Sequence, residues 1–176
     1  MKERGGRRKC REIEKLSSRL EVRCLGDEDI EKIYDLCREN NIFYQYHLSE
    51  LTRESIKEDM EELPPGTDKK DKYYVGFFKD EVLAAIMDFV LDYPRENTVF
   101  IGLFMMNRML QGKGIGTEII GDFSHALSEL GMKKIRLAVD KGNMQSFSFW
   151  SKNCFEKTGE EVTSGIFSYI LMERIL

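Results

Sequence analysis

The chain reads as one α+β domain built on a layered sheet. Three observations carry that reading: seven short strand-like runs, four helical runs among them, and no internal repeat, low-complexity tract or linker dividing the 176 residues. RLEVRCL (19–25) alternates as a first strand. Asp27 stands where it can cap a helix to about Glu39, with Ile30, Ile33, Tyr34 and Cys37 spaced for one face. NNIFYQYHL (40–48) reads as an aromatic loop, and Ser49 or Thr52 opens a second helix to about Leu63, stopped by Pro64-Pro65-Gly66. KYYVGFF (72–78) and VLAAIMDFVLD (82–92), joined at Lys79-Asp80-Glu81, read as a hairpin. TVFIGLFMM (98–106) supplies a fourth strand, Thr117 to Leu130 a third helix, KKIRLAV (133–139) a fifth strand and Asn143 to Asn153 a fourth helix. EKTGEEV and GIFSYILME complete the set as two final strands.

Composition fits a globular domain without selecting a function. The chain is 41% hydrophobic and 33% charged, and it is long enough to bury about two-thirds of the surface its unfolded form exposes. The apolar runs are too short and too interrupted to span a bilayer, and the start lacks the apolar core of a signal peptide, so the expected location is cytoplasmic. Cys10, Cys24, Cys37 and Cys154 form no Cys-x-x-Cys pair, and His47 and His125 stand at no ligand spacing, so neither a metal site nor a disulfide framework is expected.

Charge is uneven. Residues 1–19 hold eight basic and three acidic side chains, a local +5 against −9 for the remainder, which together give the net −4. Residues 1–18 therefore read as a basic arm or short helix preceding a single domain at 19–176. No aromatic residue interleaves these charges, so base stacking on nucleic acid is not supported. The acidic remainder favours a cationic substrate.

The chemistry-bearing stretch is Gln111-Gly112-Lys113-Gly114-Ile115-Gly116-Thr117, a glycine-rich turn between the fourth strand and the third helix. The first amides of a helix lack intrahelical partners, and glycine lets an anion reach them without a Cβ in the way, so a phosphate ester is the expected ligand. A Walker loop fails because Gly114 follows Lys113, and a dinucleotide fingerprint fails because Thr117 stands where its third glycine belongs. What remains is Gln-x-x-Gly-x-Gly.

That pattern resembles the pyrophosphate-binding signature of the GNAT superfamily of N-acetyltransferases. The later segment VDKGNMQSFSFWSKNCF (139–155) resembles the same superfamily, with Asn143, Ser146, Phe149, Lys152 and Phe155 in register with Asn-x-x-Ala/Ser-x-x-apolar-Tyr-x-Lys-x-Gly-Phe. Trp150 departs from the usual tyrosine and Cys154 from the usual glycine. The resemblance implies a mixed, mostly antiparallel central sheet of about seven strands with helices on both faces, and acetyl-CoA as cosubstrate.

Residue roles follow from the same resemblance. Amides from Gly112, Lys113, Gly114, Ile115, Gly116 and Thr117 should hold the diphosphate, with Gln111 fixing the shape of the loop. The edge of the fourth strand at Phe104, Met105 and Met106 should pair with the pantetheine arm where neighbouring strands splay, and the Met106 N–H should polarise the thioester carbonyl. Asn143 reads as an N-cap that also reaches the pantetheine or its loop, with Ser146 beside it. Trp150 cannot act as an acid near neutral pH, so it should pack on the pantetheine or the fourth strand, leaving water, Tyr169, Tyr44 or Tyr46 to protonate the sulfur. Cys154 reads as a small buried thiol rather than a nucleophile. Asp88 and His47 border the expected acceptor site and read as structural, and Ala138 stands where some protein-acetylating relatives place a glutamate.

The expected activity is direct transfer of acetyl from acetyl-CoA to a primary amine, on a small cationic molecule. A non-catalytic acyl-CoA-binding module and a protein or peptide acetyltransferase are the alternatives. A small amine is the expected partner, with a homodimer as one further option, and neither membrane nor nucleic acid is expected.

Overall fold

The computed structural model describes residues 13–46 and 50–176. Its spine is a seven-stranded sheet in the order β1-β2-β3-β4-β5-β7-β6. The strands are β1 (Glu21–Cys24), β2 (Lys72–Lys79), β3 (Val82–Leu91), β4 (Thr98–Met106), β5 (Lys134–Asp140), β6 (Glu156–Ser164) and β7 (Phe167–Ile175). Every neighbouring pair is antiparallel except β4 with β5. A parallel pair needs a long crossover, which here is the helix α4 (Ile115–Glu129).

The central strands carry nearly continuous apolar runs because both faces are covered. On one face, Val75, Phe77, Val99 and Ile101 pack with Ile119, Ile120, Phe123 and Leu127 of α4 and with Trp150 of α5 (Met144–Lys152). On the other, Tyr74, Phe78, Ile86 and Met105 pack under α1 (Ile30–Arg38), which contributes Ile30, Ile33, Leu36 and Cys37, and α3 (Arg53–Glu61), which contributes Ile56. Of the expected basic arm, residues 1–12 lie outside the described residues. Ile13 and Leu16 are buried in the α4-side core, and Ser18 N donates to Asp122 of α4 at 2.7 Å.

Several local expectations shift. The acid that organises the start of α1 is Asp29 rather than Asp27: it accepts from both guanidinium nitrogens of Arg23 at 2.7 and 2.6 Å and from Gly26 N at 3.2 Å. Residues 27–29 themselves form a 3-10 turn. The segment expected as an aromatic loop contains a helix, α2 (Asn41–Tyr46). Its residues are poor helix formers, but Phe43 and Tyr44 gain burial against the α1-side core, and tertiary packing overrides propensity. His47 and Ser49 lie outside the described residues. Thr52 caps α3 by a reciprocal pair with Ser55, at 2.9 and 3.0 Å. The β2–β3 hairpin turns on Asp80 and Glu81, both with positive φ, which matches the strand twist.

Candidate active site

Strands β4 and β5 begin as partners and then part. Their pairing runs from Thr98↔Lys134 to Ile101↔Leu137 and goes no further, while β5 stays paired with β7 as far as Asp140↔Tyr169. On its other side β4 carries a bulge: Asp88 faces Leu103 and Phe89 faces Ile101, leaving Gly102 as the extra residue. A bulge bends its strand, and this one lies where β4 leaves β5. The opening is a cleft of about 650 Å³.

The pleat decides which backbone groups face that opening. Asn107 N donates to Ala84 O at 2.8 Å, so the alternating ladder turns the N–H and C=O of Met106 and Phe104 away from β3 and toward the edge that β5 has vacated. The side chains of Met105 and Met106 are both buried, on opposite faces of the sheet, so what these residues offer the cleft is backbone.

The Met106 carbonyl is already engaged. It accepts from Asn40 Nδ2 at 3.1 Å and Gln111 Nε2 at 3.2 Å, and the two amides are joined by Gln111 Nε2 donating to Asn40 Oδ1 at 2.8 Å. Asn40 Nδ2 also closes the end of α1 on Leu36 O at 2.8 Å. Gln111 thus fixes the turn to the strand edge, and Asn40 is a site residue that sequence reasoning missed. A helix-end asparagine carries no sequence signal pointing to a strand more than sixty residues away.

At the mouth, Gly112 and Gly114 adopt φ of 71° and 82°, and a Cβ built on either would meet nothing within 4 Å. Gly114 is the N-cap of α4, and the first turn closes by Glu118 N donating to Gly114 O. The amides of Ile115, Gly116 and Thr117 precede that bond, the arrangement that receives an anion. The helix begins two residues earlier than the periodicity indicated. The side chains sort differently from the expectation: Gln111, Gly112, Gly114, Gly116 and Thr117 line the cleft, whereas Lys113 is exposed outside it and Ile115 turns into the core.

The far wall comes from α5, β5 and β7. Asn143 Oδ1 caps α5 by accepting from Ser146 N at 3.0 Å, and both residues line the cleft. Trp150 is buried against Phe104 of β4 (ring centroids 5.8 Å), Phe149 (5.0 Å) and Phe155 (4.9 Å). Its packing on the fourth strand is therefore direct. Ala138 of β5 and Tyr169 of β7 also face the cleft, and burial, then the neighbouring Asp140, holds the Tyr169 phenol above its ordinary range and hence protonated. Tyr46 Oη donates to Gly142 O at 3.0 Å, tying α2 to the β5–α5 loop. Cys154 is exposed rather than buried and lies outside the cleft lining, with φ of 64°, the left-handed conformation that favours glycine at this position.

A second cavity, of about 300 Å³, lies on the α1–α3 side of the sheet and shares Phe43, Gly102, Leu103 and Met105 with the cleft as walls. Asp88 stands at its floor, close enough to Gly102 that a Cβ there would come within 3.1 Å of Oδ2. Lys72 Nζ donates to that Oδ2 at 3.1 Å and to Asp59 O at the end of α3 at 2.8 Å. Oδ1 of Asp88 is buried without a hydrogen-bond partner among the described residues. Burial pushes the Asp88 carboxyl up to about 6, against the opposing pull of Lys72. Burial likewise raises the Cys37 thiol to about 11 and the Tyr44 and Tyr74 phenols above their usual range. No helix among the described residues is long and apolar enough to cross a membrane.

The acetyltransferase (GNAT) family model matches residues 30–154. Similar solved structures include an acetyltransferase from Thermus thermophilus (17% identity, 90% of this chain and 97% of that one, TM-score 0.72). The PaiA N-acetyltransferase from Thermoplasma acidophilum, solved with coenzyme A, matches at 22% identity, 89% and 99% coverage and a TM-score of 0.65. The ribosomal-protein-S18-alanine N-acetyltransferase from Escherichia coli matches at 12% identity, 89% and 93% coverage and a TM-score of 0.61. No curated protein sequence matches the chain.

Proposed function

The chain belongs to the GNAT family of acetyltransferases, enzymes that use acetyl-CoA, and on that premise we propose that it transfers acetyl directly to a primary amine of a small cationic molecule. The observation that supports this most is the end of β4–β5 pairing at Ile101↔Leu137, which leaves the Phe104 and Met106 amides facing a cleft whose mouth is a glycine turn. In this reading the amides of Gly112 through Thr117 hold the diphosphate, with Lys113 contributing charge from the rim. Phe104 and Met106 pair with the pantetheine as an added strand would, and the Met106 N–H polarises the thioester carbonyl. Asn143 and Ser146 border the arm, and Trp150 forms an apolar wall.

In this reading transfer is direct, with positioning as the main source of rate, and among the described residues the cleft lining holds no cysteine. The departing sulfur takes its proton from Tyr169, the protonated phenol on the cleft wall. A small cationic acceptor fits the −9 balance outside the basic segment. Relatives with solved structures include an enzyme named for a ribosomal protein alanine, so peptides belong in the test.

The test has two readouts. Acetyl-CoA at about 100 times its dissociation constant stabilises by about 2.7 kcal/mol and should raise the melting temperature. Free thiol release should then be followed over polyamines, amino acids, aminoglycosides, aryl-alkyl amines and peptides. No thermal shift at millimolar acetyl-CoA refutes the cleft assignment, and a shift without release on any amine refutes the activity.

A further inference from the structure

Asp88 is a partly buried carboxylate with one oxygen engaged and one not. Lys72 and the Gly102 backbone occupy the side of Oδ2, while Oδ1 is closed off from water without a protein donor among the described residues. A carboxylate oxygen held this way disfavours the charged form and leaves the group ready to take a proton. The cavity it lines meets the cleft across Gly102 and Leu103, where β4 has parted from β5 on the way to Met106. A nitrogen entering this cavity therefore approaches the opened strand edge from the side opposite α4.

Building on the acetyl-transfer reading above, we propose that Asp88 is the catalytic base, with the acceptor amine docked in the second cavity and its nitrogen hydrogen-bonded to the Asp88 carboxylate. The incoming ammonium gives one proton to the carboxylate. The freed lone pair forms the C–N bond to the thioester carbonyl carbon, the C–S bond breaks as Tyr169 protonates the departing sulfur, and the second nitrogen proton replaces the one Tyr169 gave up. The Asp88 carboxyl then returns its proton to solvent, so each turnover yields amide, free thiol and one proton. The cavity walls Phe43, Leu103 and Met105 favour an amine carried on an apolar stem, with the charge of the acceptor read at one end only.

Several groups face Asp88 and set its titration. Lys72 of β2 favours the charged form, and Asp59 and Glu62 at the end of α3 oppose it. Tyr74 of β2, Tyr44 of α2 and Cys37 of α1 stay neutral through the working range. Activity should therefore rise with pH through about 6 as Asp88 ionises.

The experiment is the pH profile of kcat/KM, using the fastest amine from the panel above, for wild type, Asp88→Asn, Asp88→Glu and Lys72→Met. Wild type should show an acid limb near 6. In Asp88→Asn, kcat should fall by about 10²–10³ with the limb gone, while acetyl-CoA still raises its melting temperature. Asp88→Glu should restore part of the rate, and Lys72→Met should move the limb to higher pH. A panel without turnover overturns the acetyl-transfer reading and this assignment with it. Wild-type turnover without the limb, or an Asp88→Asn profile matching wild type, overturns the assignment alone. Should Asp88→Asn fail to take up acetyl-CoA, an unmoved limb in Lys72→Met overturns it equally.

Discussion

The side-chain amide of Gln111 donates to Oδ1 of Asn40 at 2.8 Å, joining residues 71 positions apart, and both donate to the carbonyl of Met106. The glycine turn, the end of α1 and the opened edge of β4 are held together at this one point. Asn40→Ala removes three of the bonds and leaves Gln111 to hold Met106 alone. At about 1 kcal/mol for a net hydrogen bond, losing the one that reaches Met106 should lower acetyl-CoA affinity about fivefold. Calorimetric titration checks this, and an unchanged dissociation constant would separate the triad from coenzyme binding.

Gly114→Val tests the mouth of the cleft. The space around Gly114 is open, so the substitution costs through its φ of 82° and by placing methyl groups over the α4 amides. A strained left-handed residue costs about 1–3 kcal/mol, so the fold should persist with a lower melting temperature. The thermal shift produced by acetyl-CoA should shrink much further than the baseline. A full shift in this variant would place the diphosphate elsewhere.

Trp150 separates packing from proton transfer. Its ring touches Phe104, Phe149 and Phe155, so Trp150→Ala should destabilise by about 3–5 kcal/mol as a large buried side chain is lost. Trp150→Phe keeps most of the contact and, since the indole transfers no proton, should hold kcat within about threefold. A collapse of kcat in a well-folded Trp150→Phe would assign the indole N–H a role in the reaction.

Much of this was legible locally. The strand-like runs matched β2 through β5 almost to the residue, helped in β2, β3 and β4 by nearly continuous apolar sequence under cover on both faces. Asn143 as the cap of α5 was likewise visible, since a cap depends on residues three apart. The failures share a cause. Helix α2 formed because Phe43 and Tyr44 pack, half-buried, on partners distant in the chain, and Asp29 displaced Asp27 because Arg23 of β1 pairs with it. Asn40 and the Asp88–Lys72 pair depend on which strands are neighbours, and the bulge at Gly102, beside Asp88 in the second cavity, leaves no periodic trace.

Asp29 and Asp88 should give opposite pH signatures of stability. Asp29 is held below its ordinary range, first by its hydrogen bonds from Arg23, so its contribution is present above the unfolded value and is lost as pH falls through the folded one. Arg23→Met should thus cost most near neutrality, where it leaves a buried carboxylate without its partner, on the order of 3 kcal/mol, and the gap to wild type should close in acid. Asp88 is raised to about 6 from an unfolded value near 3.8, so between these values the folded chain binds the extra proton and stability falls as pH rises. That linkage is worth roughly 2–3 kcal/mol. The melting temperature of wild type relative to Asp88→Asn should therefore climb as pH drops from 7 toward 4, a trend that differential calorimetry at fixed ionic strength can follow. A difference independent of pH would mean that Asp88 titrates in the folded protein as it does in the unfolded chain.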